Sequence, residues 1–454
     1  MVQFDEKTYG VAKDRLERLF DAGTFVELSA YLKRSDSQSE LEGVVCGYGS
    51  VNGSLAFAFL QDSGRTKGAF GERQAKKIAS LYALAVKNGA PLIGVFDSAG
   101  AIVYDGVSAL AAYGSLMKNI SDASGIIPQI AVIDGVCGGA SAVAASMFDF
   151  VVTVKDQSEF FVNAPFTAGK ADGASTIGLS AKEAASEAEA FAFVKELLAM
   201  LPQNNADAIC GESFDDLNRK VTVASNYDVD KLLCELSDGG KFIELYRDFA
   251  ENARFGFASF GGVLTGVIAS DPAKGGILDI KTARAATKLL GFCDAFSIPV
   301  LTLVDSEGLD ISNEAENAAY ASELARMALA YTSSECAKIT VVLGKAYGTA
   351  FTLLGSKSVG ADLAFALPEA CISVLSPEAS VAFVWNDRVG EVSREELEEE
   401  WREKCASAAS ACDAGEIDDV IEPSELRQRI CASLLMLCAK ADGAPVRKHP
   451  TLPL

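Results

Sequence analysis

A segment near the N-terminus returns in the second half of the chain, and that duplication constrains the fold more than any other feature. DAGTFVEL at residues 21–28 reappears as DGGKFIEL at residues 238–245. VVCGYGSVNGSLAFAFLQD (44–62) is matched by ARFGFASFGGVLTGVIASD (253–271). Each reads as two strands around an Asn-Gly or Gly-Gly turn. An amphipathic helical pattern follows each hairpin, at 71–90 and 280–296, with apolar residues three to four apart. Then come APLIGVFDSAGA (90–101) and IPVLTLVDSEGL (298–309), buried-strand runs ending in Asp-Ser. After a second helix, IAVIDGVCGGASAVAAS (130–146) and ITVVLGKAYGTAFTLLG (339–355) run as apolar strands into glycine turns. The order, type and spacing of these elements are too similar to arise by chance.

Strands alternating with helices predict α/β units with largely buried sheets, two of them in tandem. The boundary is expected near residues 225–230, giving an N-terminal domain at 1–227 and a C-terminal domain at 228–454. An Ala-, Gly- and Ser-rich stretch at 167–190 reads as a loop followed by a polar helix, and the charge run at 391–404 as a solvated helix with i,i+4 pairs. A length of 454 residues suits two or three domains, and 49% hydrophobic with 22% charged residues is ordinary globular composition. No apolar run approaches the ~20 residues that span a bilayer, and the N-terminus lacks a secretory pattern. A cytoplasmic protein without direct membrane insertion is therefore expected. A net charge of −22 opposes nucleic-acid binding. Eleven cysteines without a CxxC pair argue against a disulfide framework and against a zinc or other metal site.

The chain has one histidine, His449, close to its C-terminus. A Ser-His-Asp triad, a His-activated cysteine or an HExxH metal site would each hang on that residue. Chemistry is expected instead from carboxylates, lysines or backbone groups. Two strand-to-turn junctions recur in each half. In the first half they are DSAGA (97–101) and VCGGASA (136–142). Small residues at a helix start let a ligand approach unpaired N–H groups, which favour developing negative charge. Gly138, Gly139 and Ala140, with Gly100 and Ala101 from the other turn, are the candidate oxyanion hole; one such donor is typically worth about 10²–10³ in rate. GVCGGA lacks the GxGxxG order of a dinucleotide site.

Taken nearly end to end, the sequence resembles the carboxyltransferase (beta) subunit of biotin-dependent acyl-CoA carboxylases and decarboxylases, of propionyl-CoA/methylmalonyl-CoA type, within the crotonase/ClpP superfamily. RLFDAGTFVEL, QDSGRTKGAFGE, GAPLIGVFDSAGA, YGSLMKNISDASGIIPQIAVIDGVCGGA, DFVVTVKDQSEFFV, LPQNN, GFCDAFSIPVLTLVD, KAYGTA, IDDVIEPSELRQRI and the ending RKHPTLPL carry the resemblance. It implies two tandem crotonase-like domains. The N-terminal one would bind a short acyl-CoA (propionyl/methylmalonyl-, acetyl/malonyl- or glutaconyl-type) and the C-terminal one the biotin of a separate carrier protein. The second hole would lie at Gly348, Thr349 and Ala350, and a carboxyl group would pass between biotin and the acyl α-carbon without a side-chain base. The implied partners are a biotin carboxyl carrier protein, a biotin carboxylase or membrane decarboxylase subunits, and further copies of the chain, from dimer to hexamer.

The second half departs from the family pattern. Gly-Thr-Ala replaces Gly-Gly-Ala at 348–350, and a left-handed backbone at Thr349 would cost about 1 kcal/mol or more. Residues 306–331 lack the usual Pro-Gly-Phe turn and Arg-His-Gly segment, and Ile102 stands where the family has an arginine. Arg65, Lys67, Lys76 and Lys77 are candidates for the CoA phosphates. Asp97 and Asp305 are expected to brace their turns rather than act as acids. Lys118, in LMKN, resembles a biotin attachment site but sits in a helical pattern, so no biotinylation is expected there. Two alternatives stand beside carboxyl transfer: a biotin-independent crotonase-type CoA-ester decarboxylase or hydrolase, and a non-catalytic scaffold subunit.

Overall fold

Asp21 and Asp238 explain why the repeated Asp-(Ala/Gly)-Gly segments open each half. Asp21 accepts hydrogen bonds from the amides of Asn52 (3.1 Å) and Gly53 (2.9 Å), the turn residues of the first hairpin. Asp238 does the same for Gly261 (3.0 Å) and Gly262 (2.7 Å) at the second. A carboxylate thus fixes each hairpin at amides that the strand ladder leaves unpaired.

The computed structural model describes residues 6–33, 42–64, 66–168, 173–224, 226–440 and 451–453. The chain divides into two compact units, Met1–Asp207 and Ala208–Leu454. Residues 208–227, expected at the end of the first domain, therefore belong with the second unit.

The strands of the first unit are β1 (Val26–Leu28), β2 (Val44–Val51), β3 (Ser54–Gln61), β4 (Leu92–Ser98), β5 (Gln129–Gly138), β6 (Phe150–Val154), β7 (Glu159–Phe161) and β8 (Lys182–Ala184). They form one sheet in the order β1-β2-β3-β4-β5-β6-β8, with β7 alongside the end of β5. The first three strands run antiparallel and the rest parallel. In the second unit the strands are β9 (Phe242–Leu245), β10 (Ala253–Phe260), β11 (Val263–Ser270), β12 (Val300–Ser306), β13 (Lys338–Tyr347), β14 (Leu363–Ala366), β15 (Cys371–Ser373) and β16 (Asp419–Val420). Their order, β9-β10-β11-β12-β13-β14-β16 with β15 on β13, repeats the first sheet strand for strand. The duplication is one of topology as well as sequence.

The parallel strands read as continuous apolar runs because helices cover them. In the first unit, helices Glu72–Asn88 and Val107–Ala123 contribute Ile78, Leu81, Leu116 and Ile120 to the core that holds Phe59, Phe96 and Phe148. Phe96 meets Phe59 and Phe148 edge-on, at 5.5 and 5.6 Å between ring centres. Lys118 lies on the exposed side of Val107–Ala123, paired with Asp122 at 2.5 Å. The stretch at 167–190 includes strand β8, and its polar end starts helix Glu187–Met200 behind the Ser186 cap. The charge run forms helix Arg394–Cys405, started by a Ser393–Glu396 capping box. Its Leu397 is buried, so one side of that helix packs rather than being wholly solvated. Among the described residues, no helix is long and apolar enough to cross a membrane.

Candidate active site

The parallel pairing of β4 with β5 brings the two glycine-bearing junctions of the first unit side by side. The strands run in register from Leu92↔Gln129 to Phe96↔Ile133, then shift so that Ser98 faces Cys137. The shift makes room for the Asp97 carboxylate, which lies where a Cβ on Gly135 would be, only 2.1 Å from its position. Ser63 donates its hydroxyl to the same carboxylate. The second unit repeats the arrangement: after Val304↔Val342 the register moves to Ser306↔Ala346. There Asp305 accepts from the Lys345 amide at 2.9 Å. Burial pushes the Asp305 carboxyl above its usual range, with the Lys345 amide opposing it. Both aspartates brace their strand bulges, as the sequence suggested.

The serine after each aspartate shapes the turn. Ser98 Oγ accepts from the Gly100 amide and Ser306 Oγ from the Gly308 amide, each at 3.2 Å. Gly100 is therefore a turn former whose N–H is already engaged, and its carbonyl accepts from Phe70 at 2.8 Å. Ala101 follows, opposite Phe70 in a parallel bridge. Its amide has no acceptor among the described residues.

Gly139 and Gly348 carry the left-handed backbone, with φ 61° and ψ −126° in the first and φ 61° and ψ −146° in the second. Only glycine adopts such values without strain. Their N–H groups are not donors to a ligand. Gly139 donates to the Phe161 carbonyl and Gly348 to the Ser373 carbonyl, both at 2.9 Å. Each glycine instead turns the chain into a short helix, Ala140–Ser146 or Thr349–Leu353. The first amides of these helices, on Ala140 and Thr349, have no intrahelical acceptor.

The structural alignment of the two halves thus corrects one expectation. Gly348 matches Gly139, Thr349 matches Ala140 and Ala350 matches Ser141. The glycine replaced in the second half is Gly138, whose place is taken by Tyr347. Thr349 is not among the residues with positive φ, so the strain expected there does not arise.

Next to Thr349 the second unit has a cavity of about 570 Å³, lined by residues that include Gly348, Thr349, Ile372, Ser373, Val374 and Trp401. The indole N–H of Trp401 reaches Ser373 Oγ at 3.5 Å, and its ring meets Trp385 edge-on at 4.9 Å. Phe161, Ser98, Ser306 and Trp401 were not picked out from sequence; Ser98 and Ser306 act within their own turns, whereas the partners of Phe161 and Trp401 are distant in sequence.

The candidate phosphate ligands separate. Lys77 is buried and donates to the Val44 carbonyl at 2.6 Å, which makes it structural rather than a ligand contact. Lys76 is exposed and paired with Glu72 at 2.5 Å. Lys67 is exposed, and its carbonyl accepts from the Ala99 amide at 2.9 Å, beside the DSAGA turn. It holds φ 55° where the second unit has Gly275 in the matching place, bonded in the same way to Glu307. A lysine there holds a backbone conformation that glycine adopts more readily. Arg65 and His449 lie outside the described residues.

Two duplicated α/β units, each carrying an aspartate-braced bulge and a glycine turn into a helix, define the tandem crotonase-like class. The chain belongs to the carboxyl transferase domain family, which matches residues 6–452. It is 33% identical over 480 residues to a propionyl-CoA carboxylase carboxyltransferase subunit of Haloferax mediterranei, covering 98% of this chain and 93% of that protein. A methylmalonyl-CoA decarboxylase alpha subunit of Veillonella parvula is 34% identical over 475 residues, with the same coverage of 98% and 93%. Among solved structures, transcarboxylase 12S, a hexamer with methylmalonyl-coenzyme A bound, superposes with a TM-score of 0.91 at 28% identity, covering 98% of this chain and 92% of that one. The chain is a carboxyltransferase by family.

Proposed function

We propose that this protein moves a carboxyl group between carboxybiotin on a separate carrier and the α-carbon of a short acyl-CoA, of propionyl/methylmalonyl type. The observation that carries the proposal is the twice-built junction that leaves the Ala140 and Thr349 amides without an acceptor among the described residues. Its setting is a chain whose relatives include both propionyl-CoA carboxylase and methylmalonyl-CoA decarboxylase subunits.

The first unit takes the acyl-CoA. Amides of Ala101 and Ala140 donate to the thioester oxygen as it gains charge when the α-carbon loses or accepts the carboxyl group. Lys67, beside that turn, faces the CoA phosphates in this reading, with Lys76 a more exposed contributor. Lys77 is left out because its ammonium is committed to Val44. The second unit takes the biotin. Its cavity has the volume of a small-ligand site, with apolar walls from Ile372, Val374 and Trp401 and a backbone donor at Thr349. Such a lining fits a compact ring system with one polar carbonyl. Carboxybiotin, when bound, supplies an activated carboxyl group; the protein orients it, excludes water and donates hydrogen bonds. No side-chain base is needed, which suits a chain with one histidine.

The biotin carrier, a biotin carboxylase or membrane decarboxylase partner, a homo-oligomer and a cytoplasmic location belong to the same reading. The relatives favour it over a biotin-independent hydrolase or an inert scaffold. Purified protein with methylmalonyl-CoA and free biotin tests it. Biotin-stimulated loss of the carboxyl group supports the proposal, and CoA-ester turnover indifferent to biotin overturns it.

A further inference from the structure

We propose that Cys210 and Cys438 form an intrachain disulfide when the protein meets a low-molecular-weight disulfide. Their sulfurs lie 2.6 Å apart although 228 positions separate them in sequence. That distance falls between non-bonded contact and the about 2.05 Å of a bond. Both residues are exposed, so a small oxidant reaches them.

The backbone around each sulfur is fixed independently. Cys210 forms an antiparallel bridge with Val263. On either side of it, Ile209 accepts from the Leu264 amide at 3.0 Å and Gly211 donates to Gly262 at 2.8 Å. Cys438 closes helix Leu426–Leu437. That helix rests on the same hairpin through Cys431, whose Cβ lies 3.3 Å from the Cβ position of Gly261. Two elements seated on one hairpin therefore hold the thiols together. A bond between them encloses strands β9 to β16 in a single covalent loop.

Burial and the adjacent Cys210 push the Cys438 thiol up to about 12. In one order of attack Cys210 reacts first. Its thiolate attacks one sulfur of the small disulfide, forming a mixed disulfide and releasing one thiolate. Cys438 then loses its proton and attacks the Cys210 sulfur, expelling the second thiolate. Two protein S–H bonds are lost, one S–S bond forms, and the small disulfide is reduced to two thiols.

The test uses the reduced full-length chain and oxidised glutathione. Thiols are counted after removal of the reagent and denaturation. The count is expected to fall by two from the eleven of the sequence. Peptide mapping should then join Cys210 to Cys438, the melting temperature should rise, and reductant should reverse all three. Cys210→Ser and Cys438→Ser should each abolish the linked peptide and the melting shift. An unchanged count of eleven, a stable glutathione adduct in the unsubstituted protein, or a bond mapping to other cysteines would overturn the proposal.

Discussion

The ring of Phe161 occupies the space that a side chain on Gly138 would need, with a Cβ there only 2.7 Å from Phe161 Cε2. In the second unit the same strand pair is inverted, Tyr347 standing opposite Ser373. Bulk has moved from one strand to its neighbour, so the missing glycine of the second turn reflects repacking. Gly138→Ala is expected to destabilise the protein by about 1–3 kcal/mol through this clash. Adding Phe161→Ala should recover most of the loss, because it empties the contested space. Urea unfolding of the two variants measures both effects.

Gly348 and Thr349 should respond in opposite ways. Gly348→Ala forces a side chain onto φ 61°, ψ −146° and displaces the helix start that Thr349 begins. It is expected to cost about 1–3 kcal/mol in stability and about 10²–10³ in biotin-dependent turnover. Thr349→Ala keeps the amide and the backbone, so turnover should stay within a few-fold. Steady-state kinetics with free biotin, paired with thermal melts, separates the two outcomes.

Much of the fold was legible because its signals are local. Asn52-Gly53 and Gly261-Gly262 mark the hairpins, and Asp97-Ser98 with Asp305-Ser306 marks the strand ends. What was not legible depends on residues far apart in sequence. Spacing from Asp97 and Asp305 already sets Gly348 against Gly139, but that Tyr347 stands in the place of Gly138 is plain only once β7 and β15 are seen beside the strand ends. Lys77 reads as a solvated helix residue, yet its ammonium is drawn inward by the Val44 carbonyl, 33 positions away. Trp401 sits in a run of charges, and nothing local shows that it lines a cavity.

Those lysines give a third prediction. Lys67→Ala should raise KM for the acyl-CoA several-fold with little change in kcat, an effect that added salt should diminish. Lys67→Gly should behave alike in binding while relaxing the backbone. Lys77→Met should instead lower thermal stability and leave KM close to normal. Initial rates over a range of acyl-CoA concentrations, together with melts, distinguish a ligand contact from a structural one.

Asp238 predicts a pH dependence of stability. Burial alone would raise its carboxyl, but Arg427 and the amides of Gly262 and Gly261 outweigh burial and hold it below the usual carboxylate range. A depressed carboxyl contributes stability above its unfolded value near 3.9, and loses it as pH falls through the folded value. Arg427 is fully buried, so removing its partner charge is costly. Asp238→Asn should therefore lose about 2 kcal/mol or more at pH 7. The difference from the unsubstituted protein should shrink below pH 4, as urea unfolding across that range would show.

If the two duplicated junctions serve one carboxyl transfer, the carboxyl group must pass from one substrate to the other. The most direct measurement is passage of isotopic label from the carboxyl group of methylmalonyl-CoA to biotin, free or on its carrier. Labelled carboxybiotin should form with the unsubstituted protein and be lost in Gly348→Ala, whose acyl-CoA binding persists. Release of the labelled carboxyl at the same rate without biotin, or label transfer undiminished in Gly348→Ala, would contradict it.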